Sequence, residues 1–105
     1  MTVKYGLEKN DLLIIKKIIG QNCPNAGKVA LFGSRATGKH KPESDIDLVV
    51  YGHVTEQEIE RAYTCFLESI LPYKVDIVAY HHTINPALKQ HIDKVAKSLF
   101  INHPI

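Results

Sequence analysis

Gly33-Ser34 stands ten residues ahead of Asp45-Ile46-Asp47, and each of these short motifs borders an apolar run of strand length. The two runs, Val29 to Phe32 and Ile46 to Tyr51, have the β-branched or aromatic content of strands. A chain with this pattern is constrained to place a turn of small residues and a pair of carboxylates at strand ends. Successive strand residues point to opposite faces, so Asp45 and Asp47 are expected on one face with Cα atoms about 6.6 Å apart. Ile46, Leu48 and Val50 then point to the other, which makes one face acidic and one oily.

Two carboxylates at that separation can converge their oxygens on a cation, and hard oxygen ligands suit Mg²⁺, which binds through one or two carboxylates plus substrate phosphates. A third carboxylate would complete a two-ion site, and Asp76 is the candidate. It lies in Lys74-Val75-Asp76-Ile77-Val78-Ala79-Tyr80, where Val75, Ile77 and Ala79 alternate with Asp76, Val78 and Tyr80. If the first set joins the oily face, Asp76 emerges on the acidic one. An unpaired carboxylate is costly to bury in so apolar a run, which leaves pairing, metal coordination or a place at the exposed end of the sheet.

Between the first two runs the chain is rich in small residues, Gly33, Ser34, Ala36, Thr37 and Gly38. Glycine lets the backbone approach a phosphate closely, and a serine can cap a short helix or offer a hydroxyl and N–H groups to a triphosphate. Arg35, Lys39, His40 and Lys41 add positive or protonatable groups around the turn. Arg35 is the foremost of these as a nucleotide contact because it directly follows Gly33-Ser34. A phosphate-holding turn beside paired metal-binding carboxylates points to nucleotidyl transfer.

The pattern Gly-Ser, ten residues, Asp-x-Asp and a third Asp in a later strand resembles the DNA polymerase beta nucleotidyltransferase superfamily. The matching core runs from Val29 to Tyr80, about half of the chain, and the small size is similar to that of the minimal nucleotidyltransferases. The resemblance implies Mg²⁺-dependent transfer of a nucleoside monophosphate from a nucleoside triphosphate to an acceptor, with release of pyrophosphate and two metal ions in play. By position, Gly33 and Ser34 would hold the triphosphate, Asp45 and Asp47 the metal ions, and Asp76 the ion that activates the acceptor hydroxyl. The implied fold is α/β of the α+β type, a small mixed sheet of at least three strands with helices on one face. Minimal nucleotidyltransferases often pair with HEPN-domain partners as toxin–antitoxin systems, and some adenylylate the partner. The expected donor is therefore ATP and the expected acceptor a hydroxyl of a HEPN-domain toxin, a tyrosine by preference. A non-catalytic antitoxin that neutralises its partner by contact, and a transferase acting on an aminoglycoside, are the alternatives.

The 105 residues leave room for one domain, residues 1–105, with a modest core, and 45% apolar with 23% charged residues fit an ordinary globular protein. A net charge of +2 is too mild to argue for nucleic acid as the direct acceptor. No apolar run approaches 18 residues and the N-terminus lacks a signal-peptide layout, so a cytoplasmic protein without membrane contact is expected. Cys23 and Cys65 have no ligand spacing and are expected as free thiols.

The other segments predict a scaffold. Leu12, Ile15, Ile18 and Ile19 share a face of a helix over about Leu7 to Gly20, which should cover the oily sheet face. Thr55 and Glu58 form a capping box, followed by Ile59, Ala62, Tyr63, Phe66 and Ile70 at helical spacing until Pro72. Asn85-Pro86 reads as an N-cap with proline at the first helical position, and Leu88, Ile92, Val95 and Leu99 form the stripe behind it. The expected order is helix, strand, strand, helix, strand, helix. His81, His82 and His91 show no metal-ligand spacing and are expected as surface histidines. So small a domain leaves part of a helix face for a partner, either a second copy of itself or another chain.

Overall fold

The computed structural model describes residues 5–102. Its elements run α1 (Lys9–Asn22), β1 (Ala26–Phe32), α2 (Gly33–Thr37), β2 (Ile46–Gly52), α3 (Glu56–Leu67), β3 (Val75–Ala79), a 3-10 turn (Tyr80–His82), α4 (Pro86–Val95) and β4 (Lys97–Ile101). The strands form one sheet in the order β3-β2-β1-β4. β1 runs antiparallel to both β2 and β4, whereas β2 and β3 are parallel. A parallel pair needs a crossover, and α3 supplies it.

The alternation read from the sequence holds in the sheet. Ile46, Leu48 and Val50 of β2 and Val75, Ile77 and Ala79 of β3 are buried in one cluster with Ile15, Ile18 and Ile19 of α1 and Ala62 and Phe66 of α3. Ile15, Ile19, Ile46 and Leu48 have no solvent exposure, and each such side chain contributes about 1.5–3 kcal/mol relative to an exposed one. The opposite face carries Ala30 and Phe32 of β1, Val49 of β2 and Ile92 of α4, with Leu88, Val78 and Tyr80 packed around them. Two long helices thus lie on one face, and α4 adds partial cover to the other.

Local signals set the helix ends. Thr55 Oγ1 accepts from the Glu58 N–H at 3.1 Å while Glu58 Oε1 accepts from the Thr55 N–H at 2.9 Å, so the expected capping box starts α3. Asn85 Oδ1 accepts from the N–H groups of Ala87 and Leu88 at the start of α4. α1 begins two residues later than expected and runs past Gly20, because the residue ahead of Pro24, Cys23, is where the helical conformation becomes unfavourable.

Two expectations are corrected. Ile70 does not belong to the α3 stripe and is 83% exposed, since Ser69 Oγ donates to the Phe66 carbonyl at 2.7 Å and turns the chain before Pro72. Leu99 does not extend α4: the helix ends at Val95, the cap residue Ala96 is extended in ψ, and Lys97–Ile101 pairs with β1 as β4. The free edge of β1 offers backbone hydrogen bonds that another helical turn would leave unmade.

Among the described residues no helix is long and apolar enough to cross a membrane. Cys23 is buried and Cys65 half-buried, both as free thiols.

Candidate active site

Three neighbouring strands bring their ends into one row. Phe32 of β1 lies opposite Asp47 of β2, and Asp47 lies opposite Asp76 of β3. Gly33 follows Phe32 with φ of 73°, a left-handed conformation that favours glycine. A second constraint acts on the same residue, because a Cβ on Gly33 would overlap the Asp47 carboxylate. The bare Cα lets the small-residue turn press against the acidic strand end. That turn is the short helix α2, closed by Gly38 in the left-handed region and by the Lys39 N–H donating to the Ser34 carbonyl at 3.0 Å.

Asp47 is half-buried within β2, and Asp76 is half-buried within β3 on the same face, as the alternation predicts. Asp45 lies one residue outside β2 and is exposed; the ladder begins at Ile46, whose N–H donates to the Lys74 carbonyl at 2.9 Å. Burial pushes the Asp47 carboxyl above its ordinary pKa of 3.8, and the negative charges of Asp76 and then Asp45 push it further, against the opposing pull of Lys74 and of His91 in its protonated form. A carboxylate raised by its own neighbours is a group whose charge a cation would relieve. Oxygen donors of this kind suit a hard divalent ion, and the fit rests on the donor set, since among the described residues no three metal-binding side chains are already drawn together.

Arg35 is placed differently from the expectation that it contacts nucleotide. Its side chain is 1% exposed, with Nε and Nη2 donating to the Ser44 carbonyl, Nη2 also to Pro42 and Nη1 to Tyr5, while the guanidinium lies 4.7 Å from the centre of the Tyr73 ring. With its donors committed to carbonyls, Arg35 pins the loop between α2 and β2 and so fixes where Asp45 enters the site. Ser34 remains at the turn, half-exposed, where a nucleotide can reach it.

His91, expected as an ordinary surface histidine, reaches the site from α4. Its Nε2 accepts a hydrogen bond from the Gly33 N–H at 3.3 Å, and its ring meets Phe32 edge-on at 6.1 Å between centres. No local pattern announces a contact between positions 58 apart. The nearest sequence signal is its neighbour Ile92, whose place in an apolar stripe sets which side of α4 meets the sheet.

The row therefore offers a backbone donor beside carboxylates, a pairing suited to a polyphosphate and the cation it carries. The family model described as Polymerase beta, Nucleotidyltransferase matches residues 14–104. A Haemophilus influenzae protein named "Probable protein adenylyltransferase MntA" is 34% identical over 85 residues, spanning 76% of this chain and 71% of that protein. A solved structure described as a toxin-antitoxin with AMP-PNP matches with a TM-score of 0.71 at 26% identity, over 86% of this chain and 73% of its own. A tri-AMPylated Shewanella oneidensis HEPN toxin in complex with MNT antitoxin gives a TM-score of 0.61 at 22% identity, over 85% of this chain and 71% of the matched one, a likeness of fold. With its Gly-Ser turn and aspartates set at adjoining strand ends, and matched along most of its length, the chain belongs to the polymerase beta nucleotidyltransferase family.

Proposed function

We propose that this nucleotidyltransferase moves AMP from ATP to a side-chain hydroxyl of a partner protein, a HEPN-domain toxin, and thereby acts as its antitoxin. The observation that carries the proposal is the juxtaposition of Gly33, Asp47 and Asp76 across three adjoining strands in a chain similar to a protein named as a protein adenylyltransferase. In that role Gly33 and Ser34 hold the triphosphate, and Asp45, Asp47 and Asp76 hold Mg²⁺. The ion, when bound, neutralises phosphate charge and favours the ionised form of the attacking hydroxyl.

The chain's own contributions follow from placement. The Gly33 N–H and the Ser34 hydroxyl are donors for phosphate oxygens. Arg35 holds the loop that delivers Asp45. Asp76 is on β3, the edge strand of the sheet, so an acceptor arriving at that edge meets it before Asp47. In the reaction the acceptor hydroxyl gives up its proton to solvent, its oxygen forms a bond to the α-phosphorus, the bond from that phosphorus to the bridging oxygen breaks, and pyrophosphate leaves.

The test is incubation with Mg²⁺, the protein product of the neighbouring gene, and ATP labelled on either the α- or the γ-phosphate. Label should pass to the partner from the α-position and not from the γ-position. Tight neutralising association without α-label, surviving replacement of both Asp45 and Asp47 by alanine, would instead establish neutralisation by contact.

A further inference from the structure

His91 contacts two consecutive residues at the entrance to the Gly-Ser turn. Its ring meets Phe32 edge-on, and its Nε2 takes the N–H of Gly33. The helix carrying it is fixed beside that point, because Ile92 is fully buried against Ala30, Phe32 and Val49. His91 itself stays on the exposed side. A rigid base with an accessible tip is the arrangement in which a side chain changes partner without moving its helix.

The hydrogen bond is of a kind made to be exchanged. At 3.3 Å it lies beyond the usual range for a backbone N–H donor, and its acceptor is a neutral ring nitrogen where a phosphate oxygen would bind through charge. An imidazole accepting at Nε2 carries its proton at Nδ1. Once an anion takes the Gly33 N–H, tautomer exchange places the proton at Nε2 with no change in charge, and the ring becomes a donor to that anion.

Building on the nucleotidyltransferase reading of the site, we propose that His91 is a binding residue for the polyphosphate of the nucleotide donor. In the nucleotide-free protein it holds the Gly33 N–H in place; in the complex it yields that N–H and donates from Nε2 to the incoming phosphate oxygens. α4 thereby supplies a phosphate contact that the Gly-Ser and Asp-x-Asp segments do not contain.

Binding of Mg²⁺·ATP to the wild-type chain and to the His91→Ala, His91→Phe and His91→Gln variants tests this by calorimetry. Alanine and phenylalanine should weaken binding about tenfold, the weaker end of a hydrogen bond to a charged group, and glutamine should recover to within about threefold. Glutamine restores a donor and acceptor but not a ring, whereas phenylalanine restores the ring against Phe32 but no nitrogen. Unchanged affinity in the alanine variant overturns the proposal, as does a loss restored by phenylalanine and not by glutamine, which marks mere packing. The amide resonance of Gly33 in the nucleotide-free protein should shift in His91→Ala. If the wild-type chain binds no triphosphate under conditions where it is folded, the nucleotidyltransferase reading fails first and takes this proposal with it; a wild-type chain that binds beside an equally competent alanine variant sinks the His91 role alone.

Discussion

Asp47 lies directly opposite Asp76 in the parallel ladder of β2 and β3, with burial and then this neighbour holding the Asp47 carboxyl above its ordinary pKa. A carboxyl whose folded pKa exceeds its unfolded value favours folding at low pH, and the benefit is lost as pH rises through the folded value. The ionised form present at neutral pH is therefore a cost to the metal-free fold. Asp47→Asn should raise the melting temperature at pH 7 in the presence of chelator by roughly 2 °C, a small effect because half-exposed charges are screened. Below pH 3.8, the ordinary value, the two proteins should melt together. Calorimetric scans across pH decide the sign, and the same variant should lose metal-dependent triphosphate binding.

If Asp76 holds the ion that assists the acceptor, as proposed, Asp76→Asn should leave the fold and most triphosphate affinity intact while lowering turnover about a hundredfold or more, because the amide keeps the shape and removes the charge. Near-normal turnover with a competent acceptor would assign Asp76 a structural role.

Gly33→Ala faces two penalties at one position, a left-handed backbone and a methyl group driven into the Asp47 carboxylate. The backbone term alone costs about 1–3 kcal/mol. Denaturant unfolding should register that loss, and residual folded protein should bind triphosphate poorly.

Replacing Arg35 by methionine removes the donors to the Ser44 and Pro42 carbonyls from a buried position and should destabilise the chain by about 3 kcal/mol. Lysine should not rescue it, having neither the planar fork nor the same stacking on Tyr73. Limited proteolysis with trypsin should show faster cleavage after Lys39, in the loop that Arg35 pins.

Burial pushes the Cys23 thiol up to about 11. At pH 8 a thiol-specific disulfide reagent should therefore spare Cys23 in the native chain, react at the half-buried Cys65, and label both on unfolding.

Most of the sheet was legible because alternation is a local signal. Asp76 between Val75 and Ile77 announces its face whatever the rest of the chain does. The capping groups of α3 and α4 were legible for the same reason, lying within three residues of the N–H groups they satisfy. Leu99 was misread because its spacing continues the α4 stripe, and only the unpaired edge of β1, far earlier in the chain, where Lys28 pairs with Ile101 and Val29 with Phe100, makes a strand the better outcome. Arg35 misled in the opposite sense. A cation after a Gly-Ser turn suggests phosphate, but the carbonyls of Tyr5, Pro42 and Ser44 that claim it belong to loops whose return to the turn no periodicity encodes.

β4 has a consequence for how the molecule comes into being on the ribosome. A nascent chain released only as far as Tyr80 already holds every residue of the Gly-Ser and aspartate motifs, yet β1 would then present a bare edge beside Phe32, and the apolar patch of Ala30 and Val49 would lie open. α4 and β4, which emerge after the motif, seal that patch and that edge together. Emergence of α4 and β4, rather than appearance of the motif, is thus the moment at which the motif-bearing end of the sheet becomes safe from pairing with a neighbouring chain.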